Sequence, residues 1–235
     1  MGIDRGIYNL AAYSVVDNEG GIIEQDRISG MELRHVQRQM GNRIRVGQKR
    51  GYVVRDSRRK AYADEAVHVT ANALVAACFQ YEAQIVLEDL RSLYGIRRRT
   101  RVKGRRRSGF NVLLNRTQYE KLKSVLSYKL ALAGLSKPIF VRAAFTSQTC
   151  PECGNQSRDN RIKTPSGSGF KMDEFRCVDC GYEADADENA ARVIAMKGRW
   201  LTNLPKKSER KSEILADELR FDVYLKNIAE KRLRA

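Results

Sequence analysis

The sequence predicts an α/β fold, because short apolar segments that suit buried strands alternate along the chain with longer segments of helical periodicity. The first apolar segment, residues 2–16, is followed by the turn signal DNEG at 17–20 and by a return strand at 21–28. Further on, QIVLEDL at 84–90 is a short apolar run that leads into two acids. These features predict a strand hairpin and a further buried strand, with helices packed around them.

Helical periodicity marks the longer segments between the predicted strands. In the first of them Val67, Leu74 and Tyr81 recur every seven residues, with alanines on the same side. The remaining predicted elements are a helix over 60–82, a helix over 116–133, a strand over 138–145, a helix from 187 to 201 and an amphipathic helix in the charged tail after 205.

The chain is strongly basic, which predicts a polyanionic partner such as nucleic acid. Its 235 residues suffice for one sizeable domain with a small insert, and 44 Lys and Arg against 28 Asp and Glu give a net charge of +16. Residues 43–60 hold eight cations and one acid, and residues 91–107 hold nine cations and no acid. Such segments are usually solvated helix faces or flexible loops, and a basic protein can use its charge for docking alone. The residues predicted to contact nucleic acid are Arg43, Arg45, Lys49, Arg50, Arg58, Arg59, Arg97, Arg98, Arg99, Arg101, Arg105, Arg106 and Arg107.

The sequence has no apolar run long enough to cross a membrane and no secretory signal at its N-terminus. We therefore expect a cytoplasmic location of prokaryotic type and no membrane partner. In a reducing compartment, five cysteines indicate metal ligands before disulfides. One of them, Cys78, lies on the apolar side of the predicted helix 60–82 and is predicted to be a core residue.

The other four cysteines form two matched pairs. Cys150 and Cys153 make one Cys-x2-Cys pair, Cys177 and Cys180 make the other, and 23 residues separate them. A glycine follows each pair, where the backbone must turn tightly. Two disulfides or a redox-active thiol pair are the alternatives, but four thiolates at this spacing predict one structural Zn²⁺ in a closed tetrahedral site. Any catalysis is then expected elsewhere.

Three acids stand at the ends of predicted core elements: Asp4 in GIDRG, Glu88 in IVLEDL and Asp187 at the start of the last predicted helix before the tail. Each alone reads as a strand-end contact or a cap, and Asp187 in particular suits a helix N-cap. A cluster of three carboxylates is electrostatically costly unless divalent cations neutralise it. Two Mg²⁺ ions about 4 Å apart would activate a water and stabilise the leaving 3′ oxygen in phosphodiester hydrolysis.

Other catalytic chemistries have little support in the sequence. The two histidines, His35 and His68, stand in ordinary helical contexts. The sequence contains no P-loop, no GxGxxG motif and no nucleophile elbow. The acids are therefore the preferred candidates.

The order GIDRG, IVLEDL and paired cysteines running into ADADENAA resembles the RuvC-like nuclease domain of type V CRISPR effectors and their TnpB transposon relatives, over roughly residues 1–200. The resemblance implies an RNase H-like fold, with a central mixed sheet, flanking helices and an inserted four-cysteine zinc ribbon. It implies that Asp4, Glu88 and Asp187 hold two Mg²⁺ or Mn²⁺ ions and cut DNA. The motif places its Asp two residues before Asn189, which selects Asp187 over its neighbour Asp185.

The resemblance also implies a division of the chain. We expect a nuclease core at 1–145, a zinc ribbon at 146–183, a helix that completes the core at 184–204 and a charged helix at 205–235. Family members carry several hundred residues ahead of GIDRG, which hold the guide RNA and read a short duplex motif. We therefore expect DNA as substrate, and guide RNA held by a missing N-terminal half or by a separate chain.

Two other interpretations remain open. The first is a basic zinc-ribbon subunit that binds nucleic acid without cutting it, although such a subunit would be expected to lose one of the three acids. The second is a Holliday-junction resolvase of RuvC type, against which the cysteine segment and the arginine-rich segment argue.

Overall fold

One mixed five-stranded sheet organises the chain, in a computed structural model that describes residues 1–6, 9–53, 57–90, 118–166, 169–203, 221 and 223–230. The strands lie in the order β3-β2-β1-β4-β5, and β1 runs antiparallel to β2 and parallel to β4. Strand β2 pairs antiparallel with β3, and β4 pairs parallel with β5. The strands are β1 Gly2–Asp4, β2 Asn9–Val16, β3 Ile22–Ser29, β4 Val86–Asp89 and β5 Ile139–Arg142.

Helices cover both faces of this sheet. They are α1 Met31–Lys49, α2 Ser57–Gln80, α3 Tyr119–Leu132 and α4 Ala186–Asn203. Successive residues of a strand point to opposite faces. Ile3 and Leu87 accordingly pack with α2 and α3, whereas Val86 packs with Val141 and with Ile194 of α4. The central strands β1 and β4 are therefore buried between α2 and α3 on one side and α4 on the other, whereas the edge strand β3 is largely exposed.

A second, three-stranded antiparallel sheet follows the first cysteine pair. Its strands are β6 Arg161–Ser166, β7 Gly169–Arg176 and β8 Glu183–Asp185, and a 3₁₀ turn at Arg158–Asn160 leads into it. Strand β8 ends where α4 begins, so the small sheet is joined directly to the helix on the main sheet.

The predicted mixed α/β fold is confirmed, but the single strand predicted over 2–16 is wrong. The chain forms two strands that pair with each other, with Gly2 opposite Ser14 and Asp4 opposite Ala12. Asp4 therefore ends a strand of three residues instead of heading a long one. Both strands are apolar, and the sequence between them has no strong turn signal, so the reversal was missed.

Helix α1 was not predicted as an element. Its apolar residues Leu33, Val36, Met40 and Ile44 do recur at helical spacing. Only Leu33 and Gln37 of the helix are buried, and the cations interspersed with this repeat were interpreted by their charge alone. The strand predicted over 138–145 ends at Arg142. The predicted helices over 60–82 and 116–133 correspond to α2 and α3, where the structure describes them.

The predicted tail helix is described in part. Residues 223–230 are helical. Its apolar side packs on α4 through Phe221, Leu225 and Ile228 against Val193, Met196 and Trp200. Within the residues that the structure describes, no helix is both long and apolar enough to span a membrane.

Helix α4 lies unusually close to the strands beneath it. A Cβ placed on Gly2 would stand 2.2 Å from the carbonyl oxygen of Ala191, and one placed on Gly198 would stand 2.3 Å from Cγ2 of Val86. Heavy atoms cannot approach that closely, so glycine at both positions sets the distance between α4 and the sheet.

Replacement of Gly198 by alanine tests this packing. Overpacking by the added methyl group should lower the free energy of unfolding of Gly198→Ala by roughly 1–3 kcal/mol. The higher helix propensity of alanine opposes this by about 1 kcal/mol, so we expect a net loss of stability. In a Val86→Ala background the clashing methyl groups are gone, and the same change should become neutral or stabilising. Urea unfolding of the four proteins measures both effects, and an equal cost in both backgrounds would contradict the contact.

Candidate active site

Two of the three candidate acids end neighbouring parallel strands. Strand β1 pairs with β4 so that Gly2 lies beside Val86 and Ile3 beside Leu87. The next residue on each strand is the acid, Asp4 on β1 and Glu88 on β4. Side chains alternate along a strand, so both acids project to the face that carries α4.

Asp187, the third acid, lies in the first turn of α4. The Asn9 side chain donates a hydrogen bond of 2.9 Å from Nδ2 to Oδ2 of Asp187. A Cβ on Gly6 would stand 2.9 Å from the carbonyl oxygen of Asn9, so glycine lets the chain turn tightly beside Asp187. The chain that follows β1 thus holds Asp187 on the side where Asp4 and Glu88 end their strands.

The residue that caps α4 is Asp185. Its Oδ1 accepts hydrogen bonds from the backbone N–H of Asp187 at 2.9 Å and of Glu188 at 3.2 Å, which is the N-cap geometry. Arg27 holds this turn in place by ion pairs with the Asp185 and Glu188 carboxylates. The interpretation of Asp187 as a helix cap is therefore wrong, and its carboxylate faces the other acids.

The three acids lie close enough together for Glu88 and Asp187 to influence the ionisation of Asp4. Burial raises the pKa of Asp4 well above its usual range, and the negative charges of Glu88 and Asp187 raise it further, while Arg161 and Arg5 oppose the shift. Each additional carboxylate within this buried region makes ionisation of Asp4 harder. Ionisation of Asp4 therefore costs the folded chain free energy.

Glu88 is almost fully buried, and hydrogen bonds from neighbouring side chains fix its position. Burial raises the pKa of Glu88, and the Thr146 hydrogen bond opposes the rise, together with the charges of Arg5 and Lys197. The Thr146 hydroxyl donates to Oε1 of Glu88. Lys197 of α4 donates to the carbonyl oxygen of Ala144 at 2.6 Å, which fixes the segment that carries Thr146.

Arg5 donates a hydrogen bond to the backbone at the end of the same strand, β4. Its guanidinium donates to the backbone oxygen of Glu88 and, at 3.3 Å, to that of Tyr119, and it is only 5% exposed. A fixed buried cation of this kind partly balances a cluster of carboxylates. Arg5 thereby ties the end of β4 to the start of α3.

The donor set suits a hard divalent cation. Carboxylate oxygens are the ligands that Mg²⁺ and Mn²⁺ prefer. Asp4, Glu88 and Asp187 present three of them on one face, and the mutual repulsion that raises the pKa of Asp4 is what a bound cation would relieve.

The four paired cysteines form a separate metal-ligand group. Their sulfur atoms all lie within 4.8 Å of one another, with 3.7 Å between Cys150 and Cys180 and 3.5 Å between Cys153 and Cys177. Zn–S bonds of about 2.3 Å in a tetrahedron require sulfur atoms about 3.8 Å apart. The geometry therefore suits Zn²⁺. Among the described residues only these cysteines are gathered so tightly, and the three carboxylates are spaced more widely.

The two cysteine loops have the same backbone conformation. Gly154 and Gly181 have φ of +74° and +76°, which disfavours any residue with a side chain. Each donates its N–H at 3.0 Å to the carbonyl oxygen of the first cysteine of its pair. Cys78, by contrast, is buried in the main core, as predicted.

The predicted nucleic-acid contacts divide between the faces of α1. Arg45 and Lys49 lie with Arg34 and Arg38 within about 60° of one another around the helix. We call these four residues the α1 stripe. Arg43 and Arg50 lie on the opposite side by the same geometry. Arg38, Arg45, Lys49, Arg43, Arg50 and Arg58 are exposed. The side chain of Arg59 and the whole of segment 91–107, with its seven predicted arginines, lie outside the described residues.

Several residues of this site were not found from the sequence. Arg5, Asn9 and Thr146 contact the acids only because strand pairing and chain reversal bring them there. Arg161 begins β6 of the small sheet, yet its charge lowers the pKa of Asp4. Arg5 stands inside the GIDRG motif, but nothing in that motif shows that its side chain reaches the end of the strand that carries Glu88. No spacing in the sequence connects Thr146 or Arg161 with the three motifs.

Comparison with known proteins gives consistent matches. The family model of the Cas12f1-like TNB domain matches residues 119–194. The CRISPR-associated endodeoxyribonuclease Cas12f1 of Sulfoacidibacillus thermotolerans is 32% identical over 204 residues, which cover 83% of this chain and 45% of that protein. The putative RNA-guided DNA endonuclease InsQ of Escherichia coli (strain K12) is 29% identical over 213 residues, which cover 84% of this chain and 48% of that protein.

The fold is matched by a solved structure as well. The cryo-EM structure of the Cas12f1-sgRNA-target DNA complex contains a chain that superposes with a TM-score of 0.60 at 20% identity, over 83% of this chain and 48% of that one. At this identity the likeness concerns the fold alone. The present chain thus spans about half the length of these three proteins.

Replacement of Asp4 tests the electrostatic strain at the site. The pKa of Asp4 is raised in the folded chain, whereas in the unfolded chain it lies near its usual value of about 4. As pH rises between these values, ionisation favours the unfolded chain, so stability falls. Without added divalent cations, we expect Asp4→Asn to unfold at higher urea than the wild type at pH 8.

The pH dependence provides the control. The advantage of Asp4→Asn should shrink as pH falls and should vanish below about 3, where the wild-type carboxyl is protonated in both states. Asp159→Asn changes an exposed aspartate of the 3₁₀ turn and should shift the urea midpoint little at any pH. A wild type as stable as Asp4→Asn at pH 8 would contradict the burial of a strained charge.

Proposed function

We propose that this chain, which is related to the TnpB and type V CRISPR effector proteins, is the nuclease part of an RNA-guided DNA endonuclease. The observation that carries the proposal is the convergence of Asp4, Glu88 and Asp187 on one face of the sheet, with a pKa of Asp4 that the other two acids raise. Homologues named as endodeoxyribonucleases support the same reaction class. We further propose that the main sheet with α4 is an RNase H-like core of RuvC type.

The three carboxylates would hold two Mg²⁺ or Mn²⁺ ions. When bound, these ions supply an activated water and stabilise the leaving oxygen of the phosphodiester. The chain's own part is positioning: Thr146 fixes one oxygen of Glu88, and Asn9 fixes one oxygen of Asp187. Arg161, close enough to lower the pKa of Asp4, supplies a positive charge beside which a DNA phosphate can bind.

The cysteine segment would be a zinc ribbon. Its sulfur geometry and its matched loops support one structural Zn²⁺. The division into 1–145, 146–183, 184–204 and 205–235 remains a prediction that accompanies this proposal. Guide RNA and target DNA are the proposed partners, since a structural neighbour is a complex with both.

Substitution of the acids tests the reaction. The purified chain is incubated with labelled single-stranded DNA and Mg²⁺ or Mn²⁺. Asp4→Asn, Glu88→Gln and Asp187→Asn should each lower the cleavage rate at least about a hundred-fold, because loss of one metal-binding oxygen removes several kcal/mol of transition-state stabilisation.

Asp185→Asn is the matched control for Asp187→Asn. Asparagine caps a helix about as well as aspartate, so α4 keeps its cap and cleavage should persist. Loss of cleavage in Asp185→Asn with activity in Asp187→Asn would overturn the assignment. Bound but uncut DNA with either metal would favour a binding subunit without catalysis, and a preference for four-way junctions would favour a resolvase.

The α1 stripe is proposed to contact a nucleic-acid backbone. Replacement of Arg38, Arg45 and Lys49 by glutamine should weaken DNA binding and reduce the slope of log affinity against log salt by about 2 to 3, since each phosphate contact contributes about 0.7 to 0.9. Fluorescence anisotropy of labelled DNA, measured from about 50 to about 200 mM salt, gives this slope. Arg43→Gln with Arg50→Gln, on the other side of α1, is the control. An equal loss per charge in both variants would mean that net charge, and not the stripe, binds DNA.

A further inference from the structure

Arg192 is a buried cation that the proposed reaction does not use. It lies near the middle of α4 and is 3% exposed. Its guanidinium donates to the Gly20 carbonyl oxygen at 3.1 Å from Nε and 2.8 Å from Nη2. Its Nη1 donates to Oε1 of Glu152 at 2.6 Å and to the Tyr182 hydroxyl at 3.4 Å. One side chain therefore contacts three separate segments of the chain.

Two of those segments are the cysteine loops. Glu152 stands between Cys150 and Cys153, in the first loop. Tyr182 follows the second loop, and its carbonyl oxygen accepts the N–H of Cys177 at 2.8 Å. The Tyr182 ring also lies 5.8 Å from the Arg192 guanidinium, within cation–π range. Arg192 thus holds both halves of the four-cysteine site.

The third segment belongs to the main sheet. Gly20 lies in the turn between β2 and β3, and its carbonyl oxygen takes two of the guanidinium's hydrogen bonds. These bonds anchor α4 to the hairpin whose first strand pairs with β1. The cysteine loops and the main sheet therefore meet at one buried charge.

A second contact repeats the connection one turn earlier on α4. Asn189 is fully buried, and its Nδ2 donates at 3.2 Å to the carbonyl oxygen of Thr149, the residue before Cys150. Asn189 is two residues from Asp187. The helix turn that carries the third acid is thus bonded to the backbone at the first cysteine.

We propose that Arg192 is a positioning residue that couples closure of the four-cysteine site to the placement of Asp187. Closed loops hold Glu152 and Tyr182 against Arg192, which together with Asn189 holds the first turns of α4 over the ends of β1 and β4. If the loops open, a buried guanidinium loses its carboxylate, which is strongly unfavourable. Helix α4 is then expected to shift or loosen.

The coupling must act in both directions, because linkage between two sites is reciprocal. Loss of the Arg192 contacts should weaken metal binding by the cysteines, since residues that orient a ligand loop commonly contribute 10- to 100-fold to metal affinity, as a rough range. The final step, from α4 to catalysis, rests on the proposed nuclease function. The zinc step does not.

The first measurement is the zinc affinity of the full chain, by competition with a chromophoric chelator. Arg192→Lys keeps the charge but cannot contact all three segments, and Glu152→Gln keeps the size of its partner. Both should bind zinc roughly 10- to 100-fold more weakly than the wild type. Arg199→Lys changes another arginine of α4, which donates to the Asp17 carbonyl oxygen, and should leave zinc affinity unchanged. Unchanged affinity in Arg192→Lys and Glu152→Gln would overturn the proposal.

The second measurement is hydrogen exchange in α4, with and without zinc. Removal of zinc from the wild type should speed exchange at the capped amides of Asp187 and Glu188, and Arg192→Lys should show faster exchange even with zinc present. Equal exchange in all states would refute the coupling. If Arg192→Lys fails to fold, Glu152→Gln, which leaves the helix sequence intact, decides between the outcomes.

DNA cleavage separates the two proposals. Slower cleavage by Arg192→Lys, alongside weaker zinc binding and faster exchange, is the expected result. If zinc binding and exchange change as expected while even the wild type cuts no DNA with Mg²⁺ or Mn²⁺, the proposed nuclease function fails and the coupling stands. If the wild type cuts DNA and Arg192→Lys matches it, the coupling does not reach Asp187.

Discussion

Helix α4 reaches the strands that carry the acids through glycines at the two places where helix and sheet meet. At Gly2 the backbone of α4 occupies the space of a side chain, and at Gly198 the methyl groups of Val86 do. The helix consequently packs against the backbone of β1 as well as against side chains. Asp187 comes near Asp4 and Glu88 because of this short distance. In an active site, a displacement of about 1 Å is enough to lower a rate about a hundred-fold.

The same closeness creates an electrostatic problem that nearby cations reduce. Burial and mutual repulsion raise the pKa of Asp4, and burial raises that of Glu88. Arg5 donates to the backbone oxygen of Glu88 and Lys197 donates to that of Ala144, so the main chain fixes both charges in position. Arg161 approaches from the small sheet. Each cation thus comes from a different element, and the balance of charge depends on all of them being packed together.

Sequence patterns predicted the parts of the structure that depend on the spacing of residues within one segment and on the order of motifs along the chain. Apolar spacing identified α2 and α3, and motif order identified the three acids that the fold brings to one face. Helix α1 also carries a helical repeat, at Leu33, Val36, Met40 and Ile44, but most of its surface is exposed and basic, and its charge was interpreted while its periodicity was not. Sequence patterns could not identify Thr146 or Asn9, because their contacts with Glu88 and Asp187 follow from strand pairing between distant segments.

The two aspartates of ADADENAA illustrate where sequence reasoning ends and geometry begins. Either could cap the helix, and the motif alone favoured Asp187 as the site residue. In the structure the Asp185 carboxylate accepts hydrogen bonds from the first backbone amides of α4. Asp187 lies two residues later, and its carboxylate accepts a hydrogen bond from Asn9 and raises the pKa of Asp4. The N-terminus of a helix carries a partial positive charge that stabilises nearby carboxylates. Because α4 begins at the acid cluster, the fold brings a third carboxylate and part of the charge that offsets it to the same place.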